Sequence, residues 1–69
     1  MKISARNVLP GKIVKIVRGP VSTEVTLEVA PGLQIVSTIT TASAEALQLV
    51  EGGHAYGLIK ASSVMVGVD

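Results

Sequence analysis

At 69 residues the chain has room for one domain, and a domain this short hides only about 60% of the surface its unfolded chain would expose. It has no cysteine and a single histidine, which excludes a disulfide framework and a Cys/His zinc site as sources of stability. Hydrophobic residues make up 48% against 16% charged, and the net charge is +1; oligomerisation is the expected remedy, with no general attraction to nucleic acid or acidic lipid.

The opening Met1-Lys2-Ile3-Ser4-Ala5-Arg6 lacks the apolar core of a signal peptide. Apolar runs throughout are a few residues long, far short of the ~20 that span a bilayer, so the chain reads as cytoplasmic, with no membrane partner. From Lys12 to Arg18 the run KIVKIVR is β-branched and bounded by Gly11 and Gly19-Pro20. From Ser22 to Val29, Val25, Leu27 and Val29 face one way and Glu24, Thr26 and Glu28 the other. Ala30-Pro31-Gly32 reads as a hairpin turn, since Pro presets φ and Gly tolerates positive φ. Leu33 to Thr40 resumes the alternation, with Leu33, Ile35, Ser37 and Ile39 on one face.

The period then changes. TASAEALQL, residues 41–49, is rich in helix formers; Thr40, Thr41 and Ser43 are candidate N-caps, and Leu47 is expected to face the core. Gly52-Gly53 ends that segment, and two further strands are expected, His54–Lys60 and Val64–Val68. Three strands, a helix and two strands predict an all-β fold: a five-stranded OB-like Greek-key barrel with one short helix between strands 3 and 4, occupying residues 1–69 as a single domain. Val14 and Val17 fall out of phase with Ile13, Val36 opposes Ile35, and Leu58 opposes Ile59. Strands apolar on both faces point to packing on another subunit.

Catalytic constellations are nearly absent. His54 follows two glycines and stands without a triad or metal signature, and Glu24, Glu28 and Glu45 read as solvated. No enzyme, no direct metal-cation ligands and no organic cofactor are expected. A single-stranded nucleic-acid-binding OB-fold module is the alternative by fold. Such modules stack bases on aromatic rings along a basic groove, whereas this chain has one Tyr, no Phe and no Trp. What remains is a set of donors beside two cations: Ser4 and Arg6 before the first strand, Lys60 at the end of the fourth, and Thr40, Thr41 and Ser43 at the helix start. Such a set suits an oxyanion; equally, the hydroxyls could cap the helix while the cations are solvated.

Ile3-Ser4-Ala5-Arg6-Asn7, Gly11-Lys12-Ile13-Val14, Ile39-Thr40-Thr41-Ala42-Ser43 and Leu58-Ile59-Lys60-Ala61-Ser62 closely resemble the molbindins, the small Mop-type proteins of the TOBE domain family. The resemblance runs over essentially the whole chain. It implies a homohexamer, a trimer of dimers, that binds molybdate or tungstate between subunits. The function implied is molybdenum homeostasis through oxyanion storage. The same resemblance carries anion-binding roles onto Ser4, Arg6, Lys60 and Ala61 of one subunit and onto Thr40 and Ser43 of its neighbour. Ala61 has no side-chain hydroxyl, so its contribution there would be its backbone N–H.

Overall fold

The alternating runs do form strands, and the glycines and prolines between them set the turns. In the computed structural model, which describes residues 1–69, the elements are β1 (Asn7–Arg18), β2 (Ser22–Ala30), β3 (Leu33–Thr40), α1 (Thr41–Ala46), β4 (His54–Ile59) and a 3-10 turn (Ala61–Ser63). One antiparallel sheet results, in the order β3-β2-β1-β4. The hairpin between β2 and β3 turns at Gly32, whose φ of 76° is the positive value expected of that position. The all-β class and the position of the helix are as expected.

β1 begins at Asn7, five residues before the expected Lys12. Pro10 does not interrupt it, because pairing with β2 starts only at Lys12 and β4 is the sole neighbour before that point. At Gly11 a Cβ would lie 2.9 Å from the Glu28 carbonyl oxygen and 3.2 Å from a Val29 methyl, so glycine allows the end of β2 to cross closely over β1. The β1–β2 register shifts between Ile13 and Lys15. A bulge at Val14 reverses the side-chain phase, so Ile13 before it and Ile16 after it both reach the core. That shift accounts for the out-of-phase Val14 and Val17, which stay exposed.

Ile13, Val25 and Leu27 form the buried centre, and Ile16, Val29, Ile35, Ile39, Leu49 and Ala55 pack around it. On the other face of β2 the glutamates are not buried, while Thr26 is, flanked by its register partners Lys15 and Val36.

Two expectations fail for identifiable reasons. The helix stops at Ala46 rather than Leu49, and Leu47 is 66% exposed instead of facing the core. Gln48 takes a left-handed φ of 54°, its N–H donates to Glu45 O at 3.0 Å, and the Leu49 N–H donates to Ala44 O at 3.2 Å. This pair of bonds is a Schellman closure. It turns Leu49 inward and leaves Ala44 as the buried helix residue.

The fifth strand, Val64–Val68, does not form, so one chain has four strands rather than five. A strand needs a sheet edge to pair with. Beyond the 3-10 turn the tail meets neither free edge, β3 nor β4, and Val66 and Val68 are 91% and 95% exposed. Between those two edges lies a groove of about 270 Å³, lined by 13 residues of which 11 are hydrophobic, including Ile35 and Ile39 of β3 and Leu58 of β4. No helix is long and apolar enough to cross a membrane.

A non-glycine residue in the left-handed region costs roughly 1–2 kcal/mol. Gln48→Gly should therefore raise the unfolding free energy, by about 0.5–1 kcal/mol after the extra chain entropy of glycine is subtracted. Urea unfolding at fixed protein concentration measures it; a lower midpoint at unchanged slope would show that the closure at Gln48 is unstrained.

Candidate functional site

The donors singled out by the sequence fall into two groups. The first is built where the start of β1 meets the end of β4. Asn7 pairs with Ile59, and the Asn7 side-chain amide donates to the Ile59 carbonyl at 3.1 Å, fixing this end of the ladder. The pairing ends there, with Arg6 directly before Asn7 and Lys60 directly after Ile59, so the two cations flank the last ladder pair, and Ser4 and Ala61 lie farther along the chain. All four residues are exposed. The Lys60 carbonyl accepts the Ser63 N–H at 2.8 Å and so starts the 3-10 turn. The Ala61 N–H is at the turn's first position, where no carbonyl of the turn can reach it. None of the side-chain hydrogen bonds within the chain uses Arg6 or Lys60.

The second group is at the end of β3. Thr40 is the N-cap of α1: its Oγ1 accepts the Ser43 N–H at 3.0 Å and donates to Ser43 Oγ at 2.7 Å. The Thr40 hydroxyl is thus committed to the cap, and the hydroxyl hydrogen of Ser43 is left for an outside acceptor. Thr41, also a candidate cap, has another task. Its hydroxyl donates to the Gly19 carbonyl at 2.7 Å and lies 2.8 Å from Thr23 Oγ1. Thr23 was not singled out by sequence, where it reads only as a strand former; its full burial and its partner come from the fold.

These two groups occupy opposite ends of β1. Arg6 precedes the first residue of that strand, whereas Thr40 pairs with Ser22, whose neighbour Thr23 pairs with Arg18, the last. The 12 residues between amount to roughly 40 Å of strand contour at about 3.3 Å each. The structure therefore places Arg6 and Lys60 beside the last β1–β4 ladder pair and bonds Thr40 to Ser43, and no strand pairing or side-chain hydrogen bond links the two sets within one chain.

Neither set contains an acid. The Glu51 carboxylate accepts the Ile16 N–H at 3.0 Å, and nowhere do three or more His, Asp or Glu side chains converge to hold a cation. His54 is exposed opposite Lys12, and Tyr56, the one aromatic residue, is exposed on β4. Hydroxyls, N–H groups, a guanidinium and an ammonium can donate to an anion; they offer little to a metal cation or a planar base.

Residues 3–66 match the TOBE domain family. The chain is 48% identical over 69 residues, all of both chains, to a probable molybdenum-pterin-binding protein of Haemophilus influenzae. It is 44% identical over 66 residues to molybdenum-pterin-binding protein 2 of Clostridium pasteurianum, covering 96% of this chain and 97% of that one. Among solved structures it resembles MopII from Clostridium pasteurianum, with a TM-score of 0.91 at 42% identity over 97% of this chain and 100% of that one. A molybdate binding protein from Sporomusa ovata gives a TM-score of 0.92 at 35% identity, covering 99% and 100% of the two chains.

Because Thr40 carries the cap, Thr40→Ala should lower the stability of the ligand-free protein by about 1 kcal/mol. Ser43→Ala should cost less, since the Ser43 N–H keeps its acceptor. Thermal unfolding of the two variants without added oxyanion compares them, and equal losses would contradict the division of roles drawn here.

Proposed function

The chain belongs to the TOBE domain family, and from that premise we propose that it binds molybdate between copies of itself, holding the oxyanion in store without altering it. The observation that carries this reading is the separation of the donors. Ser4, Arg6, Lys60 and the Ala61 N–H flank the Asn7 end of β1 and the Thr40–Ser43 pair lies toward its Arg18 end, a separation that supports a site shared between two chains.

The donor chemistry agrees. Molybdate at neutral pH is a dianion that only accepts hydrogen bonds. Arg6 and Lys60 match its charge, and the guanidinium fork suits two of its oxygens. Ser4, Ser43 and the backbone N–H serve the others. A site of donors alone disfavours phosphate, which keeps a proton in need of an acceptor, and a pocket sized for molybdate rejects the smaller sulfate. Tungstate has nearly the same size and charge and is expected to bind as well. Several relatives are named for a molybdenum-pterin. A pterin ring or a nucleic-acid base calls for an aromatic surface, and Tyr56 alone is a poor one.

Self-association is supported by the open sheet. Val64, Val66 and Val68 recur every second residue in an exposed tail, while the groove between β3 and β4 is apolar and bordered by two unpaired edges. The tail of a second copy laid in that groove supplies the missing strand, closes an OB-like Greek-key barrel and buries both apolar surfaces. The outward Val8, Leu58 and Tyr56 offer a second apolar surface on β1 and β4, in keeping with a hexamer built as a trimer of dimers.

Lys60→Ala should weaken molybdate binding by ~1.5–3 kcal/mol, roughly tenfold to over a hundredfold, the usual worth of a hydrogen bond to a charged group. Calorimetric titration of the variant reads this, and an unchanged affinity removes Lys60 from the site. Val66→Asp should reduce the assembly in size, seen by light scattering. If the assembly keeps its mass, the tail lies outside the interface.

A further inference from the structure

Thr23 is, with Thr26, one of two buried polar side chains in the sheet, and its hydroxyl has one partner, Thr41. It sits where three elements converge: Thr23 pairs with Arg18 at the end of β1 and with Ile39 near the end of β3, and through Thr41 it reaches the start of α1. The connection continues to the turn between β1 and β2. Thr41 Oγ1 donates to the Gly19 carbonyl at 2.7 Å, the Thr41 N–H donates to the Val21 carbonyl at 2.8 Å, and the Gly19 N–H donates to the Ser22 carbonyl at 2.9 Å.

Thr41 has one hydroxyl hydrogen, and it goes to Gly19. The Thr23 hydroxyl is then the donor to Thr41 Oγ1. Any shift of Thr41 away from this spot would leave a buried hydroxyl unpaired, which the interior penalises. Thr41 follows Thr40 directly and precedes Ser43 by two residues, so fixing Thr41 fixes the Thr40–Ser43 hydroxyl pair.

We propose that Thr23 is a positioning residue for oxyanion binding: through Thr41 it holds the Thr40–Ser43 pair at the height and angle from which it meets the donors of a neighbouring chain. This rests on the reading of Thr40 and Ser43 as part of an intersubunit site. It adds a residue that never touches the ligand. Positional errors of an ångström at a preorganised site are costly, so a buried tether two residues from a donor has leverage on affinity.

The test uses the assembled protein, with molybdate affinity measured by calorimetry. Thr23→Val keeps the shape and the strand preference and removes the hydroxyl; it should weaken binding roughly two- to tenfold while the assembly mass stays the same. Thr23→Ser should restore near wild-type affinity. In a Ser43→Ala background Thr23→Val should add no further loss, whereas in a Lys60→Ala background its effect should persist in full. Should Thr23→Val prove insoluble, Thr41→Val removes the same hydrogen bond from the helix side together with the one to the Gly19 carbonyl, and should weaken binding at least as much. An unchanged affinity in Thr23→Val while Ser43→Ala weakens binding overturns this inference alone. So does a loss of equal size with and without the Ser43 hydroxyl, which marks a purely structural residue. If Ser43→Ala leaves affinity untouched, the assignment of the hydroxyl pair to the site falls, and the role of Thr23 falls with it.

Discussion

Everything in this molecule turns on a sheet that does not close. β3 and β4 are its two edges, both unpaired on their outer side, and the space between them is an apolar groove that opens onto the core residues Val25 and Leu27. In so small a chain an apolar groove left open to solvent is a large loss, because each square ångström of apolar surface left wet forfeits roughly 25 cal/mol. The chain also carries an exposed, alternating valine tail with nothing to pair with. Each feature is a liability alone. Together they are complementary, and the proposed assembly follows from joining them between copies.

The distribution of donors obeys the same logic. Within the chain, the hydrogen-bonding groups at the end of β3 are spent on local order: Thr40 on the helix cap, Thr41 on the β1–β2 turn. At the far end of β1 the two cations are spent on nothing internal. One end holds hydroxyls bonded within the chain, the other the Arg6 and Lys60 cations with no internal partner. In the proposed reading an anion binds where a charged end of one chain meets an ordered hydroxyl end of another. Binding and assembly then support one another, since a ligand held by two chains stabilises their association by mass action.

Much of this was legible in the residues. The period-two runs gave β2 and β3 nearly to the residue, and the loss of β-branching after Thr41 marked the helix. Three things were hidden. The bulge at Val14 changes phase without a glycine to announce it. The helix closure uses Gln48 in a conformation that sequence assigns to glycine or asparagine. The tail's alternation reads as a strand whether or not its own chain offers an edge, so periodicity predicts the strand and is silent about whose sheet it joins. The donor residues were legible as residue types and through resemblance to a family. Their division between two ends of β1 needed the topology, and Thr23 needed the fold.

Native mass spectrometry of the purified protein, with molybdate, sulfate and phosphate supplied in turn, tests the central claim most directly. An assembly of several chains that gains molybdate in discrete steps, ignores the other two anions and loses the ion as it dissociates is the predicted result. A monomer that binds molybdate alone, or an assembly that takes up none of the three selectively, would contradict a site shared between chains.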